Sequence, residues 1–245
     1  MTSTWSEIHA QPGIWRAWAH EFNFEEIRTW LDAQEIQEVW FCGAGTSAYI
    51  GDIVASGLAL KGKTKIFSVP STDLVARPRF YLKNAPRGLL IVNIGRSGNS
   101  SESEGTLRAV EALAPNTAII NITCNPAGAL AQSNAGRNIL LPEACHDVGF
   151  AMTSSFSTML LTALAIFDRS TDVRANFLKL ADRADVALSK ISDQLVVSEH
   201  PNRAVFVGSG PMAFAARESA LKVMELSAGE IPSLWDSTLG FRHGP

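Results

Sequence analysis

Five short apolar runs, four of them spaced by stretches of helical character, limit this chain more than any other feature. They are EVWFCG (38–43), KIFSVP (65–70), GLLIVNIG (88–95), TAIINITC (117–124) and RNILLP (137–142). Each has the length of one buried strand. TSAYIGDIVASGLALKG follows the first and SESEGTLRAVEALA the third, both helical in character. Strand, helix, strand at this spacing predicts a parallel α/β sheet with helices on both faces, a three-layer α/β/α sandwich. Residues 1–35, with Trp5, Trp15, Trp18 and Trp30, read as a helical arm packed on that sheet. Residues 152–198 read as two helices, the second (172–198) an amphipathic, charged connector.

Composition narrows the partners. The chain has 245 residues, 46% hydrophobic and 18% charged, enough for a large core in one or two domains. A net charge of −3 without a Lys/Arg cluster argues against nucleic acid and anionic membranes. The longest apolar runs, such as MLLTALAIF (159–167), are far short of a membrane span. The N-terminal segment has no basic stretch followed by an apolar one, so it does not read as a signal peptide. Cys42, Cys124 and Cys145 are odd in number and widely spaced, which points to reduced thiols and a cytoplasmic location. No Cys/His spacing suits a metal.

After residue 200 the pattern restarts. VWFCGAGTSAYIG (39–51) and VFVGSGPMAFAAR (205–217) share an apolar strand, a G-x-G turn and small residues entering a helix. Gly43 and Gly208 are 165 residues apart, which reads as a duplicated unit. In copy two the Glu/Lys-rich helix is followed by no further strand before Pro245. The second copy is therefore expected to be incomplete, with 203–208 unpaired on one flank. Both turns match the G-x-G-x-x-G/A fingerprint, but no acidic residue ends the second strand (FSVP, 67–70), so a nicotinamide cofactor is not indicated.

Three small-residue clusters would lie at one edge of the sheet: Gly45, Thr46 and Ser47; the loop Gly95–Ser100; and Thr153, Ser154 and Ser155 opening a helix. Ordinary turns and N-caps explain any one of them. Three helix starts at the carboxyl ends of parallel strands also outline a cation-poor pocket for a phosphate monoester. In ESALKVMEL, Glu218, Lys222 and Glu225 fall within about 60° of one another on a helix whose other side chains are mostly apolar or small. This stripe reads either as a solvated ion-pair ladder or as acid–base equipment. His243, in FRHGP, is an exposed loop residue unless that loop reaches the pocket.

Taken in order, TWSEIHAQPGIW, FCGAGTSAYIG, GRSGNSSES, AMTSSF, ESALKVMELS and FRHGP resemble the sugar isomerase (SIS) domain proteins, most closely the group of tagatose-6-phosphate ketose/aldose isomerases and galactosamine-6-phosphate deaminases. The isomerase half of glucosamine-6-phosphate synthase is a more distant likeness. The resemblance implies α/β SIS domains in tandem: an arm at 1–35, a first domain with its connecting helix at 36–198, and the start of a second, incomplete one at 199–245. It implies an aldose–ketose isomerase, with or without loss of an amine, acting on a hexose or amino-sugar 6-phosphate. The alternative is a sugar-phosphate sensor without turnover. By resemblance, Gly45, Thr46, Ser47, Arg96, Ser97, Asn99, Ser100, Ala151 and Thr153 surround the phosphate. Glu225 is the base that moves a proton between C1 and C2, Glu218 and Lys222 orient it and bind sugar hydroxyls, and His243 comes from a partner subunit to help open the ring. No metal or cofactor is implied, and a homodimer or higher homo-oligomer is. Arg96 and Met152 depart from the synthase pattern. Arg96 is left as a phosphate contact or a surface charge, and at Met152 only the backbone can serve.

Overall fold

A computed structural model describes residues 2–58, 64–134, 136–169, 172–194 and 201–244. Two helices, α1 (Ser3–Glu21) and α2 (Phe24–Asp32), lead into β1 (Glu38–Cys42), α3 (Thr46–Leu58) and β2 (Lys65–Ser68). Next come the short α4 (Ser71–Ala76) and α5 (Pro78–Leu82), then β3 (Leu89–Gly95), α6 (Ser101–Leu113), β4 (Ala118–Thr123), α7 (Ala129–Gln132) and β5 (Arg137–Leu140). After α8 (Ser154–Phe167) and α9 (Val173–Gln194), the chain forms β6 (Ala204–Gly208), α10 (Pro211–Leu226) and β7 (Ser233–Ser237). All five expected strands are present. The expected helix over 46–62 ends at Leu58, and its remainder lies outside the described residues, as does 195–198 of the connector.

β1 to β5 form one parallel sheet in the order β2-β1-β3-β4-β5. Side chains alternate between its faces. Val39, Phe41, Leu90, Val92, Ile120 and Ile122 meet Trp15, Trp18, Ile50 and Met159 of the arm, α3 and α8. Trp40, Cys42, Leu89 and Ile91 meet Leu74, Leu82 and Val110 from α4, α5 and α6. The tryptophan-rich arm is tied down by polar links as well: Trp18 donates to Thr162 Oγ1 at 2.9 Å, and Arg16 pairs with Asp182 and Asp185 of α9. The buried Arg28 caps the end of α8 by donating to the carbonyls of Ala165 and Asp168. The three cysteines are buried free thiols. Among the described residues no helix is long and apolar enough to cross a membrane.

Three amides cross the sheet in register. Asn93 Nδ2 donates to Asn121 Oδ1 at 2.8 Å, Asn121 Nδ2 to Asn138 Oδ1 at 2.9 Å, and Asn138 Nδ2 to the carbonyls of Ala131 and Ser133. Asn121 is wholly buried.

β6 and β7 form a second, two-stranded parallel sheet joined through α10. This corrects the expectation that no strand follows the Glu/Lys-rich helix. SLWDS was hidden because it is short and carries a charge, and it sits just behind Gly229 and Pro232. β6 is thus paired on one flank. The turns at Gly43–Ser47 and Gly208–Met212 match closely: Gly45 and Gly210 both have φ +56°. A Cβ on Gly43 would lie 2.6 Å from Ser47, and one on Gly208 would lie 2.2 Å from Met212.

Asn121→Leu should destabilise the fold by about 2–4 kcal/mol in urea unfolding, because it strands the buried Asn93 Nδ2 and takes the donor from Asn138 Oδ1. A loss below about 0.5 kcal/mol would mean that the ladder is energetically idle.

Candidate active site

In the order 2-1-3-4-5, the chain leaves β1 toward one side of the sheet and β3 toward the other. This opens a crevice at the carboxyl ends of those two strands, the place where open α/β sheets bind ligands. Two of the predicted clusters border it. On the β1 side, Thr46 and Ser47 begin α3 and are both buried. On the β3 side, Gly98 (φ +61°) turns the loop, backed by Thr123 and Leu130. The loop is braced from below: Asn125 Nδ2 donates to the Ser97 carbonyl at 2.9 Å, and Ala129 N to Asn99 Oδ1 at 2.7 Å. Ser100 is the N-cap of α6, accepting from Ser103 N at 3.2 Å. Ser97 remains exposed, its hydroxyl accepting from Asn99 N at 3.4 Å.

The third cluster is already occupied. The Asp147 carboxylate sits at the start of α8, accepting from the amides of Thr153, Ser154 and Ser155 and from the hydroxyls of Thr153 and Ser155. Burial alone would raise its pKa. The hydrogen bonds from Ser155 and Thr153 outweigh that and hold it below the usual carboxylate range. Arg96 Nη1 reaches the carbonyls of Asp147 and Gly149, at 3.5 and 3.4 Å, and so ties the end of β3 to this loop. Ala151 is buried. Nothing local in the sequence marks Asp147, which lies six residues before Thr153 and outside any standard capping offset.

The charged stripe of α10 is not a solvated ladder. Lys222 Nζ lies 3.1 Å from Glu218 Oε1 and 2.6 Å from Glu225 Oε2. Glu218 is only 4% exposed, while the Glu225 side chain is 22% exposed. Thr46 completes the group: its hydroxyl donates to Glu218 Oε1 at 3.1 Å and accepts from Lys222 at 3.1 Å. In this structure the Thr46 hydroxyl, expected to serve phosphate, is committed to α10, because the first turn of α3 packs directly against that helix. Burial raises the Glu218 pKa to about 7 even though Lys222 and Thr46 oppose the shift. Glu218 Oε2 is buried and has no hydrogen-bond partner among the described residues. His243 ends an exposed helical turn, Gly240–His243, and accepts from Arg242 Nε at 3.0 Å.

A strand-order switch bordered by hydroxyl loops, with a carboxylate–lysine cluster reaching it through Thr46, defines an α/β protein with a candidate site for a polar ligand. Residues 34–169 match the SIS domain model, and the chain belongs to that family. It is 41% identical over 261 residues to D-galactosamine-6-phosphate deaminase AgaS of Escherichia coli, covering 100% of this chain and 67% of that protein. The AgaS deaminase of Shewanella sp. (strain ANA-3) is 37% identical over 255 residues, covering 99% of this chain and 65% of its own length. The chain thus spans about two thirds of the length of these curated relatives. The crystal structure of tagatose-6-phosphate ketose/aldose isomerase from Escherichia coli superposes with a TM-score of 0.89 at 40% identity, covering 100% of this chain and 70% of that one.

The Glu218 shift has a thermodynamic signature. Below about pH 4.5 the carboxyl is protonated in folded and unfolded chains alike. Between its ordinary 4.5 and about 7 only the unfolded chain releases the proton, so stability falls as pH rises and levels off above 7. Wild type should lose up to about 3 kcal/mol relative to Glu218→Gln across that window in urea unfolding. Parallel curves for the two proteins would show that burial does not perturb Glu218.

Proposed function

We propose that the protein is a sugar-phosphate isomerase or deaminase acting on a hexose or amino-sugar 6-phosphate. The observation that carries this reading is the half-enclosed Glu218–Lys222–Glu225 group joined through Thr46 to the β1/β3 crevice. A binding module needs no such cluster, so the sensor reading is the weaker one. The names of the relatives converge chemically. Moving the carbonyl of galactosamine 6-phosphate to C2 and releasing the nitrogen as ammonia gives tagatose 6-phosphate.

In this proposal the phosphate lies on the loop of Ser97, Asn99 and Ser100, near the α6 N-terminus, with Gly45 and Ser47 on the other wall. Arg96, Ala151 and Thr153 flank it, and the side chains of Arg96 and Thr153 act through the braced 147–153 loop. Anchoring the phosphate positions C1 and C2 at a distance from it. Glu225 removes the C2 proton as O1 gains one, giving an enediol or enolamine, and then returns a proton to C1. An amino sugar becomes a C2 imine, whose hydrolysis yields ketose and ammonia. Lys222 holds Glu225 on one side and Glu218 on the other, so the base is fixed in place. His243, from a second copy in a homodimer, assists ring opening. We further propose that β6–α10–β7 begins a second SIS domain, that 36–198 forms the first, that 1–35 is an arm, and that the protein works in the cytoplasm.

Incubation with galactosamine 6-phosphate, with ammonia and ketose assayed separately, should give one ammonia per ketose. Formation of neither, together with no interconversion of tagatose 6-phosphate, would exclude the proposal. Ser97→Ala should weaken binding of a 6-phosphate sugar by about 10- to 100-fold in calorimetry, the loss of a hydrogen bond to a charged group. It is a cleaner probe than Ser100→Ala, which also removes a helix cap worth ~1 kcal/mol. Glu225→Gln should abolish solvent exchange at C2 with KM nearly unchanged. Exchange at the wild-type rate would rule out Glu225 as the base.

A further inference from the structure

α10 crosses α3 in the antiparallel sense. Lys222, near the end of α10, reaches Thr46 at the start of α3, while Pro211, at the start of α10, packs 3.2 Å from where a Cβ on Gly57 would stand. Thr46 and Pro211 are 165 positions apart, as are Gly57 and Lys222, so each contact is the image of the other across a local twofold. One ion pair lies on that axis. Arg217 Nη1 bonds Asp52 Oδ2 at 3.2 Å, and these two residues are themselves 165 apart. The Arg217 guanidinium also lies over the Tyr49 ring, 4.2 Å from its centroid, and 5.3 Å from that of Trp235 on β7.

Beyond this pair and the Thr46 bonds to Glu218 and Lys222 at one end, the interface offers little that resists sliding. Apart from Glu218, its buried α10 side chains are small: Ala213, Ala216 and Ala220. Low ridges let helices approach closely but offer little interlock. A planar fork that is both ion-paired and stacked on aromatic rings fixes position and orientation together. We infer that Arg217 is a positioning residue, which sets the register of α10 on α3 through Asp52, Tyr49 and Trp235 and thereby holds Glu218, Lys222 and Glu225 at the crevice. Arg217 immediately precedes Glu218, so a shift of one moves the other. The pair is half-buried, and the effect inferred for it here is on geometry.

This inference rests on the proposed turnover at Glu225, and the test separates the two. In the full chain, Arg217→Met should lower kcat for galactosamine 6-phosphate by about 10- to 100-fold, the cost of roughly 1 Å of misplacement. KM should stay within about threefold, since the phosphate loops hold no part of this contact. Arg217→Lys should recover part of the loss, keeping the charge without the fork. The swap Asp52→Arg/Arg217→Asp should recover more, because Phe214 is the twofold mate of Tyr49 and offers the new arginine a ring. In ligand-free protein, carboxyl NMR should find the Glu218 titration near its wild-type midpoint of about 7 in the swap, and moved toward 4.5 in Arg217→Met. Wild-type kcat in Arg217→Met would overturn the inference. So would a kcat loss that neither Arg217→Lys nor the swap recovers while the melting temperature falls in step. If wild type itself shows no turnover, the functional proposal fails, and an unmoved Glu218 titration in Arg217→Met then overturns this inference independently.

Discussion

The candidate site is organised around one hydroxyl. Thr46 Oγ1 donates to Glu218 and accepts from Lys222, and its backbone begins the helix that walls one side of the β1/β3 crevice. A hydroxyl suits this junction because it is donor and acceptor at once. It supplies a proton to the carboxylate and a lone pair to the ammonium without adding charge. The lysine is thereby held by three oxygens, and a buried carboxylate is kept at a site where an unpaired charge would be costly. The position of the cluster relative to the sheet follows from how α3 leaves β1.

α8 shows the same economy of charge. Its amino end holds the Asp147 carboxylate and its carboxyl end the Arg28 guanidinium, each of the sign that the helix dipole favours. The helix behind the sheet is therefore electrostatically closed. The loop that supplies Asp147 is pinned by Arg96 on one side and by Glu7, which accepts from the amides of Val148 and Gly149, on the other. The donors at the start of α8 are thus already satisfied within the chain.

Much of the sheet was legible in the sequence, because a strand buried on both faces leaves a nearly continuous apolar run, as in LLIVNIG. β7 was not legible, since its partner is distant and its five residues include an aspartate. The Glu218–Lys222–Glu225 stripe could be read from helical spacing alone, but its burial depends on packing against α3, which spacing does not report. Ser100 is a cap in the structure, as ordinary turn chemistry suggests, and the anion-cradle reading of the loop stands as a proposal. Arg96 proves to be a backbone tie, a role that depends on a segment about fifty residues away. Asp147 and the Asp52–Arg217 pair went unseen for the same reason: their meaning lies wholly in tertiary contact.

The asparagine ladder across β3, β4 and β5 constrains how this sequence can drift. Every amide points the same way, from Asn93 through Asn121 to Asn138 and out to the α7 carbonyls, so each residue satisfies the next. Changing one orphans its neighbours, whereas replacing adjacent members by apolar residues of matching shape can be close to neutral. Substitutions here are therefore coupled, and the order in which they arise matters. The three positions form one heritable unit inside a sheet whose aliphatic neighbours can be exchanged one at a time.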